Sequence, residues 1–319
     1  MDLLGDWLTL AGVHGTVGAH LEAGGDWSVR WDSQGAAVIY AVTAGAAWIE
    51  PAGHDPVQLV AGDAFLVASG TPHALASNVG ALPRRCDTQI AEGTSETRAM
   101  RLGTERPTTN ILAARYSYDP AINTQVLALL PTTVHLQADF GASCLGDTLR
   151  LLARELGQPQ PAARLVLDRL VDIMLVQFLR VWIEDAAKRP DHQLLSLLGA
   201  ANDPIVGEVV GLIHAEPGRP WTTEALAAAV AVSRATLIRR FDDVVGTTPS
   251  AYLAQWRMDL AARRLRDTDD PIEAVAHDVG YLSVPAFTRA FTRSHARSPA
   301  RYRRSDTDLP ASRGVRVDQ

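Results

Sequence analysis

One pattern is written twice near the end of this chain, and it constrains the fold more than any other feature. The first copy reads TEALAAAVAVSRATLIRRFDDVVGTTPSAYL, from Thr223 to Leu253. The second reads IEAVAHDVGYLSVPAFTRAFTRSHARSPARYR, from Ile272 to Arg303, about fifty residues further on. Ala227 matches Ala276 and Val230 matches Val279. After a turn one residue longer in the second copy, Ser233 matches Ser283, Leu237 Phe287, Arg239 Arg289, Phe241 Phe291, Pro249 Pro299 and Tyr252 Tyr302. Apolar residues recur at helical spacing on both sides of each turn, so each copy predicts two helices joined tightly.

In the first copy, Thr222 or Thr223 suits the N-cap of a helix over Glu224–Val230. Ser233 suits the cap of a second helix running to about Val245. Ala225, Ala227 and Ala228 let the two helices approach, and Leu226, Val230, Leu237 and Phe241 have the spacing of a small core. The second copy places Ala274, Val275, Val279, Phe287 and Phe291 inside. Between them, Ser250–Arg266 reads as one helix of roughly 25 Å.

The net charge of −6 looks ill suited to a polyanionic partner until it is divided. Residues 1–200 hold 14 Arg and Lys against 21 Asp and Glu, whereas residues 201–319 hold 16 against 15. From Ser283 to Arg304 the chain carries Arg289, Arg293, Arg297, Arg301, Arg303 and Arg304 and no acid. Phosphates respond to such a local basic face rather than to the overall balance.

A composition 47% hydrophobic and 21% charged is that of a globular protein, and 319 residues suffice for two domains with their own cores. No run reaches the roughly 20 apolar residues that span a bilayer. The segment MDLLGDWLTL lacks a basic n-region. A cytoplasmic protein with no membrane partner is therefore expected. Cys86 and Cys144 are too few for a disulfide framework or zinc ribbon and are expected as unpaired buried thiols.

Residues 1 to about 110 read as short strands and turns (WSVRW, AVIYAVTAG, AWIEPAG), which suggests an antiparallel sandwich or barrel. Arg84 to Arg106 reads as a long loop. Helices follow over Gly146–Leu156 and Ala163–Ala187. The longer one carries a stripe of Leu167, Leu170, Met174, Phe178 and Val181, widened by Leu165, Ile173 and Val176. One side can cover the sheet, and the other can pair with a second copy of the chain. His192–Asp203 reads as the linker.

Two helices so joined form a helix-turn-helix pattern, in which the N-terminal outer face of the second helix is expected to meet base edges in a major groove. In the first unit that face holds Arg234, Ala235, Ile238 and Arg239; in the second it holds Val284, Pro285, Thr288 and Arg289. Pro285 falls in the first helical turn, where its missing N–H has no intrahelical partner to lose. Arg239 and Arg289 are the expected base readers, since a guanidinium grips guanine O6 and N7 bidentately. Ser233, Arg234, Arg240 and Arg293 are expected on phosphates.

The pattern L-A-x5-S-x3-L-x-R-x-F, the joining YLAQWRMDLAARRL, then V-A-x2-V-G-Y and A-F-T-R-A-F with a later SPARYR resembles the AraC/XylS family of bacterial transcription regulators. The likeness covers about residues 203–304. Ala296 departs from it, because the family usually has glycine before the S-P. The apolar Ala235, Ile238 and Val284 leave few side chains to read bases by hydrogen bonds, which shifts weight to methyl contacts and DNA deformability.

Gly62 to His73 (GDAFLVASGTPH) resembles the second conserved motif of cupin barrels. In metal-binding cupins this histidine joins an H-x-H pair and a glutamate. The corresponding Val42–Ile49 stretch has no histidine, and His14, His20 and His54 lack the spacing. One imidazole does not hold a divalent ion tightly, so no metal and no cofactor is expected. The stretches ILAARYSYDP, ALLPTTVHL and RLVLDRLVDIMLVQFLR resemble the cupin-type sensor domain found ahead of some members of the same regulator family.

The expected fold is thus α+β and multidomain, with an N-terminal cupin-like β-barrel and flanking helices and a C-terminal all-α double helix-turn-helix domain. The sensor and dimerisation domain spans 1–190 (barrel about 1–140, helices about 145–188). The linker is 191–203, the DNA-binding domain 204–304 and a flexible tail 305–319. The resemblance implies a sequence-specific, dimeric regulator acting on promoter DNA, activator or repressor. Its small-molecule effector would sit among Trp31, Tyr40, Trp48 and His73, and RNA polymerase is a further candidate partner. Two alternatives stand beside it: a metal-dependent cupin enzyme fused to a DNA-binding domain, and an effector-blind dimeric repressor.

Overall fold

The computed structural model describes residues 3–32, 36–81, 84–85, 99–117, 131–137, 144–158, 160–186 and 203–307. Its contacts divide the chain into two units. The described residues from 14 to 117 and from 131 to 186 form one unit; the other joins the N-terminal helix to the helices that follow Asp203. The linker predicted at His192–Asp203 lies outside the described residues apart from Asp203 itself.

The first unit is built on two sheets. Its strands are β1 (His14–Ala23), β2 (Ser28–Trp31), β3 (Ala37–Ala44), β4 (Ala46–Pro51), β5 (Val57–Val60), β6 (Ala64–Val67), β7 (His73–Ala76), β8 (Arg84–Arg85), β9 (Ala99–Leu102), β10 (Thr109–Ser117) and β11 (Thr133–Leu136). The six-stranded sheet has the order β11-β6-β3-β10-β1-β9, and the five-stranded sheet has β5-β4-β7-β2-β8. Side chains alternate along each strand. The inward set of both sheets, including Leu21, Val29, Tyr40, Ile49, Phe65 and Ile111, forms one buried core. β8 and β9 fall inside the stretch read as a loop. Each is a short edge strand paired in parallel, β8 with β2 and β9 with β1. Pairing with a neighbour supplies what their polar surroundings in the sequence do not signal.

Two helices complete the unit, α2 (Cys144–Gly157) and α3 (Ala163–Ala186). They pack on each other, and α3 also lies on β1 and β11. The buried face of α3 is Leu167, Val171, Met174, Phe178 and Trp182, at helical spacing. Leu170 and Val181 of the predicted stripe are half-buried at its margin. α3 approaches the sheet so closely that a side-chain carbon at Gly15 would come within 2.4 Å of Val171 Cγ1. The Gly15 N–H donates to Asp172 Oδ1 (2.7 Å), and the Tyr116 hydroxyl donates to the Val171 carbonyl (2.9 Å). On the far side, Leu165, Val166 and Ile173 are exposed. Cys144 is an exposed free thiol at the start of α2, not a buried one. Cys86 lies outside the described residues.

The second unit is helical. It comprises α1 (Leu3–Leu10), α4 (Pro204–Ala215), α5 (Thr223–Ala229), α6 (Arg234–Val245), α7 (Pro249–Asp267), α8 (Ile272–Asp278), α9 (Val284–His295) and α10 (Pro299–Thr307). The opening residues, read as part of the strand-rich region, are therefore helical. Leu4 and Leu8 stand one helical turn apart, and Thr9 is the one β-branched residue in the segment. α10 carries helix to Thr307, past the predicted start of the tail. Among the described residues no helix is long and apolar enough to cross a membrane.

Candidate nucleic-acid interface

Local capping fixes both copies of the repeat. Thr222 accepts from the Ala225 N–H (3.1 Å) and starts α5; Ser233 accepts from the Thr236 N–H (3.1 Å) and starts α6. α6 ends at Gly246 in the left-handed conformation, and Thr248 then caps α7 through the Ala251 N–H (3.3 Å). In the second copy Ser283 caps α9 through the Ala286 N–H (3.4 Å), with Pro285 in the first turn. α8 starts at Pro271 with no side-chain cap.

Inside the first copy, Leu226, Leu237 and Phe241 are buried, while Val230 sits at the edge and is half-buried. Phe241 meets Tyr252 edge-on at 5.6 Å. Inside the second, Val275, Val279, Phe287 and Phe291 are buried. Phe291 contacts Phe287 (5.6 Å), His295 (4.4 Å) and Tyr302 (5.4 Å).

α7 ties the copies together. It is 19 residues long, roughly 28 Å at about 1.5 Å per residue. Near its start Tyr252 bonds His214 Nε2 (2.8 Å), and the His214 ring lies flat on Trp256 at 3.6 Å. His214 Nδ1 meets Asp6 of α1 at 3.0 Å. Arg257 donates to the carbonyls of Pro217 and Arg219, both at 2.7 Å. Near its end Arg264 pairs with Asp270 (2.7 Å) and with Asp278 of α8. Gly280, at φ +85°, lies so close to Gly218 that a side-chain carbon there would sit 2.7 Å from the Gly218 carbonyl oxygen.

The outer edge of each copy is now defined. Ser233, Arg234, Ala235 and Arg239 are exposed in the first, with Ile238 and Arg240 half-buried beside them. In the second, Pro285, Arg289 and Arg293 are exposed, with Val284 and Thr288 half-buried. The arginines differ in company. Arg234 is 2.7 Å from Glu224, and Arg240 is 3.4 Å from Asp203, the residue that caps α4. Arg239 and Arg289 make no ion pair among the described residues. Burial holds the Tyr281 phenol above its ordinary range, and the cations of Arg257 and Arg293 oppose that rise. Sequence reasoning passed over Leu282, a fully exposed leucine directly before the Ser283 cap. Its signal was the extra residue in the second turn.

Comparison with known proteins identifies the two domains. The cupin family profile matches residues 2–184, and a helix-turn-helix domain profile matches residues 226–305. A protein of Streptomyces lividans described as an AraC-like transcription regulator is 34% identical over 309 residues, covering 96% of this chain and 99% of its own. The chain belongs to the AraC family. It is a DNA-binding transcription regulator with a cupin domain ahead of its helix-turn-helix domain. This AraC-family chain is also 28% identical over 289 residues to the HTH-type transcriptional regulator AlkR of Acinetobacter baylyi, covering 89% of this chain and 93% of AlkR. Among solved structures, the DNA-binding domain of AdpA in complex with a target DNA is similar at 32% identity and a TM-score of 0.33, covering 34% of this chain and 99% of that one.

The family departure noted at Ala296 has a structural counterpart. α9 ends there with Ala296 at φ +54°, the position that Gly246 fills in the first copy. A left-handed alanine is strained by about 1–2 kcal/mol, whereas glycine loses roughly 0.5–1 kcal/mol of chain entropy. Ala296→Gly is therefore expected to stabilise the second copy by a few tenths to about 1 kcal/mol, read by denaturant unfolding. A destabilised variant would show that the strain is relieved elsewhere.

In the cupin domain, three of the four residues expected at an effector pocket meet in the core. Trp31, Tyr40 and His73 are buried, with ring centroids 5.3–5.7 Å apart. His73 Nδ1 bonds the Thr71 carbonyl (2.8 Å), which leaves Nε2 to accept from the Tyr40 hydroxyl (2.7 Å). Burial lowers the His73 pKa and favours this neutral form. Trp48 does not join them. Along β4 the inward residues are Ala47, Ile49 and Pro51, so Trp48 falls on the opposite face with Ala46 and Glu50. Among the described residues, no three His, Cys, Asp or Glu side chains gather as a metal site.

Proposed function

We propose that this regulator reads a bipartite operator, with α6 and α9 in successive major grooves. Arg239 and Arg289 contact base edges there, and Ser233, Arg234, Arg240 and Arg293 hold phosphates. The observation that carries the assignment is the difference among the arginines. Among the described residues Arg239 and Arg289 occupy equivalent exposed positions with no ion pair, whereas Arg234 and Arg240 must exchange carboxylates for phosphates, and Arg293, also without an ion pair there, is set apart by its place in the last turn of α9. Ala235, Ile238, Val284, Pro285 and Thr288 surround the two readers with apolar surface suited to thymine methyls. The length of α7 is compatible with grooves about 34 Å apart.

Selection of bound sequences from a random DNA pool tests the reading directly. Two short motifs separated by about one helical turn are expected; enrichment of one motif alone would overturn it. Arg293→Ala should weaken binding to all sequences alike and reduce the slope of log affinity against log salt by about 1. A sequence-dependent loss, measured by anisotropy over a salt series, would make Arg293 a base reader instead.

The cupin domain is read as a sensor whose ligand shifts DNA affinity by binding two arrangements of the protein unequally. The exposed Leu165, Val166 and Ile173 of α3 support pairing with a second copy of the chain. The protein is read as cytoplasmic. The enzyme reading requires a bound metal, but both ring nitrogens of His73 are engaged. Adding ferrous, manganous or zinc ions to chelator-treated protein should leave its melting temperature unchanged; a saturable rise would favour the enzyme.

A further inference from the structure

The cupin domain carries a cleft that is separate from the Trp31–Tyr40–His73 cluster. It has a volume of about 250 Å³ and lies between the end of β3, the turn between β5 and β6, the end of β11 and one face of α2. Its apolar wall includes Leu136, Leu145, Leu149 and Ala153, and Gly62 and Gly146 add no side chains to fill it. Among the described residues, Arg150 is the one charged side chain in the lining, accompanied by the neutral Thr43 and Gln137. Residues at 145, 146, 149, 150 and 153 share one helical face, so α2 presents apolar surface and cation to the same space.

We infer that this cleft binds a small monocarboxylic acid with a compact apolar body. A volume of about 250 Å³, just under the roughly 300–1,000 Å³ typical of drug-sized pockets, has room for the body of an aryl or short alkyl acid. The apolar wall takes the body, and the Arg150 guanidinium takes the carboxylate bidentately. Arg150 now pairs with Asp147 on the same helix, with both side chains exposed. Such exposed pairs are weak, so a ligand carboxylate that also buries apolar surface displaces Asp147 readily.

The inference deepens the sensor reading of the cupin domain, and its test separates the two. Phenylacetate, hexanoate and octanoate, each beside its neutral amide, are titrated against the full chain by calorimetry. The variants are Arg150→Gln, Arg150→Lys and Ala153→Met, the last filling the cleft. At least one acid is expected to bind and its amide to bind about tenfold or more weakly, as a charge-assisted bond requires. Arg150→Gln should erase that preference, Arg150→Lys should keep part of it, and Ala153→Met should abolish binding without lowering the melting temperature. No binding by any acid, or equal binding to wild type and Ala153→Met, overturns the cleft assignment and leaves the sensor reading standing. Binding that follows the variants yet leaves affinity for selected DNA unaltered upholds the site and removes the sensor reading.

Discussion

Phe291→Ala should destabilise the second helix-turn-helix copy by about 3–5 kcal/mol, the cost of removing a fully enclosed phenylalanine. Phe291 is wholly buried and touches three rings at once: Phe287, His295 and Tyr302. It therefore fastens α9 both to its own core and to α10. Its counterpart Phe241 meets Tyr252, the residue equivalent to Tyr302, in the same edge-on manner. The size of the effect follows from how little the surroundings can collapse, since rings held by stacking leave a void when one is removed. Unfolding in denaturant would show a new early transition. DNA binding should fall to what the first copy supports alone. A loss under about 1 kcal/mol would mean that the site closes over the cavity and that the three-ring contact contributes little.

Arg239→Ala and Arg289→Ala are each expected to weaken binding to the selected operator by about 1–3 kcal/mol, or roughly 5- to 150-fold. Each should also relax preference at one base pair, in different halves of the site. The two arginines lie on separate helices and share no partner among the described residues, so their losses should add. Repeating the random-pool selection with each variant checks both parts. Uniform losses on all sequences would reassign the pair to phosphates. Neither substitution removes an ion pair among the described residues, so a drop in protein stability is not expected to confuse the result.

Much of the DNA-binding domain is legible in the chain because its signals are local. The caps at Thr222, Ser233 and Ser283, the proline in the first turn of α9 and the apolar spacing of α6 and α9 each act within a few residues. What the sequence conceals depends on distant partners. Arg234 and Arg240 look alike as surface cations until Glu224 and Asp203 are brought beside them. β8 and β9 exist because a neighbouring strand offers them its edge. Trp48 parts from the other three aromatic positions for a different reason. An aromatic in a strand is attractive as pocket lining, yet strand alternation sends it away from Tyr40 and His73. The small cleft at α2 is assembled from four separated segments, none of which is distinctive alone.

The mutual lean of Gly218 and Gly280, backbone against backbone, has a consequence for the choice of target sites. With Arg257 holding the middle of α7 to the Pro217 and Arg219 carbonyls and Arg264 holding its end to Asp278, little play remains between the two helix-turn-helix copies. If both copies read DNA as proposed, an operator whose halves are slightly misphased must then be brought into line by bending or twisting the duplex. Sites with pliable pyrimidine–purine steps between the halves should accordingly be preferred over stiff ones, even at bases no side chain reaches.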